Sequence, residues 1–332
     1  MNSTAILRLT LFALLTIVFV SGLIAYSNSR GHQPETSDIV TAEDLGASVA
    51  GSDRARKYER NFAVKDGGHV VVEADAGEVT IEPWDKQEVN ITVEIIGSDS
   101  RSEKYKVEFS QEGNTVKVTG SLGKKKFFNW NVGDLEVIYT INTPRTFDAS
   151  VNTSGGDISV KGLAGRMELN TSGGNVTAES VTGNVDLTTS GGDVEANTIT
   201  GDVFAETSGG DVRVESVTGN VKANTSGGNV SILDTDGTVK GGTSGGDVRI
   251  SLRNDVKGVD VETSGGSIEI ALKEGLGADI EAETSGGSVD CDFPVTVRGK
   301  VRESELHGRI NGGGNSIRAS TTGGDIRIVA VK

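Results

Sequence analysis

From residue 62 onward the chain alternates. Runs such as "HVVVEA", "EVTIEP", "EVNITVEII", "YKVEFS", "TVKVTG" and "LEVIYTI" put an apolar residue at every second position, with Gly, Asn and Asp between the runs. A period of two marks a strand with one buried face, and the separators are turn residues. The stretch to residue 143 therefore predicts an irregular all-β section, closed by Pro144.

Beyond Pro144 the alternation acquires a fixed length. Glycine recurs every nine residues at Gly156, Gly165, Gly174, Gly183, Gly192, Gly201, Gly210, Gly219, Gly228, Gly237 and Gly246. Two residues after each stands an apolar one, as in Ile158, Met167, Val176, Val185 and Val194, and the residues between are mostly polar. A second period of 18 overlies the first. "TSGG" begins at Thr153, Thr171, Thr189, Thr207, Thr225 and Thr243, while the intervening half-repeats carry Leu163, Val181, Ile199 and Val217 where the serine stood. A short strand cannot bury its face alone, so equal units must stack. The expected fold is all-β: a parallel β-helix, or β-solenoid, with about 18 residues per turn over residues 145–332. The glycine pairs are read as tight corners, permitting positive φ and close stacking of turns. "TSGG" returns at Thr263 and Thr284 after longer inserts, and "INGGGNSIRASTTGGDIRIVAVK" reads as a final degenerate pair of coils. The open ends of a solenoid need covering, a task given to the β capping section over residues 61–144.

The N-terminal pattern differs in kind. Residues 9–26, "LTLFALLTIVFVSGLIAY", are uncharged and mostly apolar, which predicts a signal peptide or a retained membrane-anchor helix over residues 1–26. Cleavage after Ser27 is the alternative to retention. Residues 27–60 are polar and aperiodic, a linker that lifts the β domain off the membrane. The expected location is membrane-anchored with an extracytoplasmic domain, or secreted if the leader is removed.

Composition narrows the partners. A formal charge of −15 leaves no basic stripe for phosphates, so nucleic acid is excluded as a partner. With 46 glycines against 9 Phe, 4 Tyr and 2 Trp, the core must be aliphatic. Cys291 is alone, and His32, His69 and His307 show no metal-ligand spacing, so no cofactor is expected.

Two features carry candidate chemistry. The residue after the periodic glycine is Asp or Asn, and at 18 residues per turn Asp157, Asn175, Asp193, Asp211, Asn229 and Asp247 form one ladder. A calcium ladder on Asp157, Asp193, Asp211 and Asp247 is one reading, since calcium takes several oxygen ligands. The chain shares its nine-residue period with calcium-binding repeat toxins but lacks their G-G-x-G-x-D order, and Asp and Asn are ordinary turn residues, which is the reading taken. The second feature is "GKKKFFNWN", where Lys124, Lys125, Lys126, Phe127, Phe128 and Trp130 form a dense basic-aromatic patch. It reads as a hairpin tip capping the first coil, or as a surface for anionic headgroups or a stacked ligand. No catalytic constellation stands out, and the serines of "TSGG" lack the strand-turn-helix setting of a nucleophile elbow.

The segment "FAVKDGGHVVVEADAGEVTIEPWDKQEVNITVE", the repeated "TSGGDV" and the ending "GGGNSIRASTTGGDIRI", in that order, resemble the bacterial family of candidate adhesins called domain of unknown function 4097. The resemblance spans residues 62–328. It implies a solenoid of β-strand repeats, usually on an anchored or exported envelope protein, and supplies no catalytic residues. The functional expectation is a non-enzymatic adhesin-like or envelope-scaffold module with an envelope protein or glycan ligand. End-to-end self-association and a β-helix carbohydrate-active enzyme are the alternatives.

Overall fold

Each 18-residue unit lays one strand on each of two facing sheets. Val176–Thr182 lies in one sheet and Val185–Thr188 in the other. The next unit places Val194–Thr200 and Val203–Glu206 beside them in parallel, and Val212–Thr218 and Val221–Asn224 follow. Register is kept position for position, Val176 beside Val194 and Val185 beside Val203. The computed structural model describes residues 55–97, 102–123, 135–253, 257–297 and 302–331. These fall in one unit, Val40–Lys332, whose sheets hold 13 and 14 strands. No helix among the described residues is long and apolar enough to cross a membrane. The predicted leader and most of the linker lie outside the described residues.

The core is narrow and aliphatic because each coil sends only a few small side chains inward. Val176 and Ala178 meet Val185 and Leu187, all fully buried or nearly so, and Val181, Ile199 and Val217 fill a third inward column. Burying a Val is worth about 1.5–3 kcal/mol, so a stack of coils is stable without aromatics. The threonine of each "TSGG" is also buried. From Thr171 onward its hydroxyl donates to a carbonyl of the adjacent coil, as Thr189 to Gly174 O at 2.7 Å and Thr207 to Gly192 O at 2.8 Å, whereas Thr153 donates to Gly155 O of its own corner. A buried hydroxyl without a partner would be costly, whereas here it ties one corner to the next.

The corners differ from expectation in their dihedrals. Of the "TSGG" glycines only Gly156 has positive φ, at 109°. Close approach alone demands the second glycine of each pair, because a Cβ there would collide with the coil below. Positive φ falls in the half-repeat instead, at Gly183, Gly201 and Gly219 and at Ser180, Thr198, Ser216 and Asp234. The last four, at φ of 55–58°, form a column 18 residues apart. Ser180 and Thr198 drop out of the pairing between Glu179–Asn197 and Val181–Ile199, so each strand bends there and turns its third apolar residue inward.

Both ends depart from a simple stack. Parallel pairing already begins at Gly68: the strands Gly68–Ala74 and Glu78–Trp84 lie beside Phe147–Thr153 and Ile158–Lys161 on one side. On their other side lie Thr115–Ser121 and Leu135–Pro144, again in parallel. The first coil in sequence is thus second in space. At the far end Asn315–Thr321 sits between Val259–Thr263 and Ala278–Thr284, and Ile326–Val331 between Ile268–Lys273 and Val289–Cys291. The closing "TTGGDIRI" coil is therefore inserted within the stack and is not the last layer. Antiparallel strands cover the outermost coils: Glu88–Gly97, Ala55–Ala63 and Lys106–Glu112 at one end, Glu305–Ile310 and Val295–Val297 at the other.

The N-terminal end of the stack holds the largest buried side chains, Tyr105, Tyr139 and Phe147. The two tyrosine hydroxyls share a hydrogen bond of 2.7 Å over Gly120, where any Cβ would strike them. Burial raises both phenols, Tyr105 to about 12, so the pair stays neutral.

Candidate functional site

The structure brings Asp157, Asp193, Asp211 and Asp247 into one line along a corner, with Asn175 and Asn229 interspersed and Asp193 directly beside Asp211. Each side chain accepts the backbone N–H of the next ladder residue. Asp157 Oδ1 takes Asn175 N at 2.8 Å, Asn175 Oδ1 takes Asp193 N at 2.8 Å, and Asp193 Oδ1 takes Asp211 N at 2.8 Å. Asp211 takes Asn229 N at 2.7 Å and Asp247 takes Ser267 N at 2.8 Å. The neighbouring strand residue, such as Val194, spends its own N–H on the carbonyl of the next coil, here Asp211 O. The side-chain oxygen thus satisfies a donor that the sheet does not reach. Amide and carboxylate oxygens serve equally, which explains the mixture of Asn and Asp. A second ladder follows the opposite corner, where Asn184 Oδ1 takes Asp202 N at 3.1 Å and Asp202 Oδ1 takes Asn220 N at 2.8 Å.

This chemistry makes a prediction. Asp211→Asn keeps the acceptor for Asn229 N and should leave stability within about 0.5 kcal/mol, whereas Asp211→Ala should cost about 1 kcal/mol. Calcium should not move the melting temperature of the wild-type chain; a calcium-dependent rise in a thermal unfolding series would restore the metal reading of the ladder.

Beside the first ladder runs an open groove of about 640 Å³, parallel to the stacking direction. Its other wall is the outward row Glu195, Arg213, Ser231, Arg249, Glu269 and Arg327, one residue per coil. Arg249 pairs with Glu269 at 3.1 Å across one coil step. On the opposite sheet a groove of about 340 Å³ is lined by Asp186, Phe204, Lys222 and Lys240. Lys222 Nζ lies 5.0 Å from the Phe204 ring centre. Phe204, the aromatic residue of the repeating array, therefore belongs to the surface and not the core.

Asp186 is the perturbed carboxyl on this face. Burial, then the stacked Glu168, raises its pKa, with a smaller push from Glu206. Because its folded value exceeds the unfolded one, its contribution to stability is full at low pH and is lost as pH rises through the folded pKa. Asp186→Asn should accordingly melt higher than wild type at neutral pH, with the gap closing as pH falls below the carboxylate range. A gap that stays constant with pH would mean the carboxyl is not strained.

Lys124, Lys125, Lys126, Phe127, Phe128 and Trp130 lie outside the described residues. Burial pushes the Cys291 thiol up, away from thiolate chemistry. One cluster was not visible as a sequence pattern: an antiparallel cap strand sets His307 beside Glu281, Glu283 and Glu305, residues separated in the chain but adjacent across two strands.

Two sheets of parallel strands, one coil per repeat, with antiparallel caps and polar rows repeating along the axis, define a capped β-solenoid. A family model described as Toastrack DUF4097 matches residues 68–329, and the chain belongs to that family. None of the curated proteins matches it. Among solved structures it is similar to a candidate cell adhesion protein from Clostridium sporogenes, at 15% identity and a TM-score of 0.22, over 83% of this chain and 100% of that one. It is also similar to a candidate adhesin from Bacteroides fragilis, at 13% identity and 0.37, over 82% and 97%. A third, described as a candidate lipid binding protein from Parabacteroides distasonis, gives 16% identity and 0.35, over 82% and 96%.

Proposed function

We propose that the chain is a non-enzymatic, adhesin-like module of the cell envelope, held at the membrane by its N-terminal apolar segment and binding an envelope glycan or protein along its repeated face. The carrying observation is the groove beside the first ladder, in which each successive coil places one ladder residue and one outward polar residue at the same two positions. Equivalent shallow contacts at constant spacing favour an extended partner, bound by many weak interactions in place of one deep pocket. The groove's six carboxylates, Asp193, Asp211, Asp247, Asp325, Glu195 and Glu269, face three guanidiniums, Arg213, Arg249 and Arg327. That balance suits a neutral or cationic polymer better than a polyanion.

The test is capture of the full-length chain on an array of purified envelope glycans and proteins. The comparison is a variant carrying Glu195→Gln, Arg249→Gln and Glu269→Gln, all outward-facing. Capture by the wild type that the variant loses, at unchanged melting temperature, is the expected result. Capture by neither chain, concentration-dependent filaments, or release of cleaved glycan would replace this reading with a mute scaffold, a polymer or an enzyme respectively.

A further inference from the structure

We infer that the C-terminal cap carries a zinc-binding clasp built from His307, Glu281 and Glu283, with Glu305 at its edge. Glu281 and Glu283 lie on Ala278–Thr284, directly opposite His307 and Glu305 on the antiparallel Glu305–Ile310. Each pair is spaced by two, so all four side chains leave the same outer face, while Ile280, Ala282 and Ile310 are buried beneath. His307 Nε2 is 3.0 Å from Glu283 Oε1 and 3.2 Å from Glu305 Oε1. Donor atoms of Glu281, Glu283 and His307 all lie within 4.8 Å of one another.

Two carboxylates thus converge on one imidazole nitrogen, which offers them at most one proton. Ligand atoms held tetrahedrally at ~2.0–2.1 Å from zinc stand about 3.4 Å apart, close to the 3.0 Å between His307 and Glu283 and inside the 4.8 Å that spans the three donors. Zinc replaces the Nε2 proton with little movement, and water completes its coordination. The mixture of imidazole nitrogen and carboxylate oxygen selects zinc over calcium, which takes six to eight oxygens. The outer oxygens are tethered as well: Arg302 Nη1 donates to Glu305 Oε2 at 2.6 Å, and Arg318 Nε donates to Glu281 Oε2 at 2.9 Å. Such outer hydrogen bonds fix carboxylates in orientation for a metal. Arg318 comes from the inserted coil and Arg302 from the approach to the cap strand, so the clasp gathers the segments that close this end.

The experiment titrates zinc into the full-length chain in detergent micelles against a chromophoric chelator, with melting temperature read in parallel. One zinc per chain is expected, weakened at least about tenfold by His307→Ala and measurably by Glu283→Gln, and unchanged by His69→Ala. Zinc should raise the melting temperature of the wild type and of His69→Ala, but not of His307→Ala; calcium should do neither. His307 is solvent-facing, so its variant should fold, and Glu283→Gln carries the same test should it not. Zinc binding that survives both substitutions, or no stoichiometric binding to the wild type, would overturn the clasp.

Discussion

Gly210→Ala should be severely destabilising and Gly209→Ala nearly silent, although the two residues are adjacent and identical. A Cβ on Gly210 would collide with the Gly192 carbonyl oxygen and come within 2.5 Å of both the Gly192 carbonyl carbon and Asp193 Oδ1. The obstacle is backbone of the coil below, already fixed by the corner, since Gly192 O accepts the Thr207 hydroxyl. It cannot step aside as a flexible side chain would. Overpacking of this kind costs on the order of 3 kcal/mol. On Gly209 the nearest atoms to an added Cβ are 3.5 Å away, an ordinary contact, and the change should stay within about 1 kcal/mol. Chemical denaturation of the two variants reads the difference directly. Equal costs would mean that the corner tolerates a wider coil spacing than the structure has.

Ending the chain at residue 314 should unfold the C-terminal end of the stack. The removed coil is internal, so four strands lose a neighbour: Val259–Thr263 and Ala278–Thr284 on one sheet, Ile268–Lys273 and Val289–Cys291 on the other. Ile317, Ala319, Ile326 and Ile328 are buried in it. At about 1.5–3 kcal/mol for each isoleucine, the loss is roughly 5–9 kcal/mol before any hydrogen bonds are counted. Hydrogen exchange should show lost protection over residues 259–291 while residues 147–235 stay protected. Retained protection there would mean that the 278–291 coil can step down one level and pair directly with 259–273.

The repeat was legible because it is a spacing: Val176, Val194 and Val212 state the coil length, and the buried threonines mark the corners. The ends were not, for a physical reason. Alternation in "HVVVEA" and "LEVIYTI" reports a buried face but not whether the neighbour runs parallel or antiparallel, nor that two chain-terminal coils lie one layer inside the stack. Positive φ at Ser180, Thr198 and Ser216 was hidden because none of these residues is a turn glycine; the fold imposes the bend. The Asp/Asn ladder was visible, yet its hydrogen bonds to the next coil follow only once adjacent strands are placed in register. The His307 cluster depends on an antiparallel pairing between residues 26 and 22 positions apart, which no local spacing reveals.

The most direct measurement is excision. Residues 194–211 are one complete coil, and removing them leaves Val176 in register with Val212 and the groove one step shorter. This chain should fold cooperatively with slightly lower stability, and its affinity for a captured envelope ligand should fall by a modest, repeatable factor that recurs when residues 212–229 are removed as well. Removing only nine residues, 194–202, should abolish folding, since it sets one sheet's strands against the other's. A nine-residue deletion that folds would contradict the two-strand coil, and an affinity that is unchanged by excision, or lost entirely at the first, would contradict binding along a repeated face.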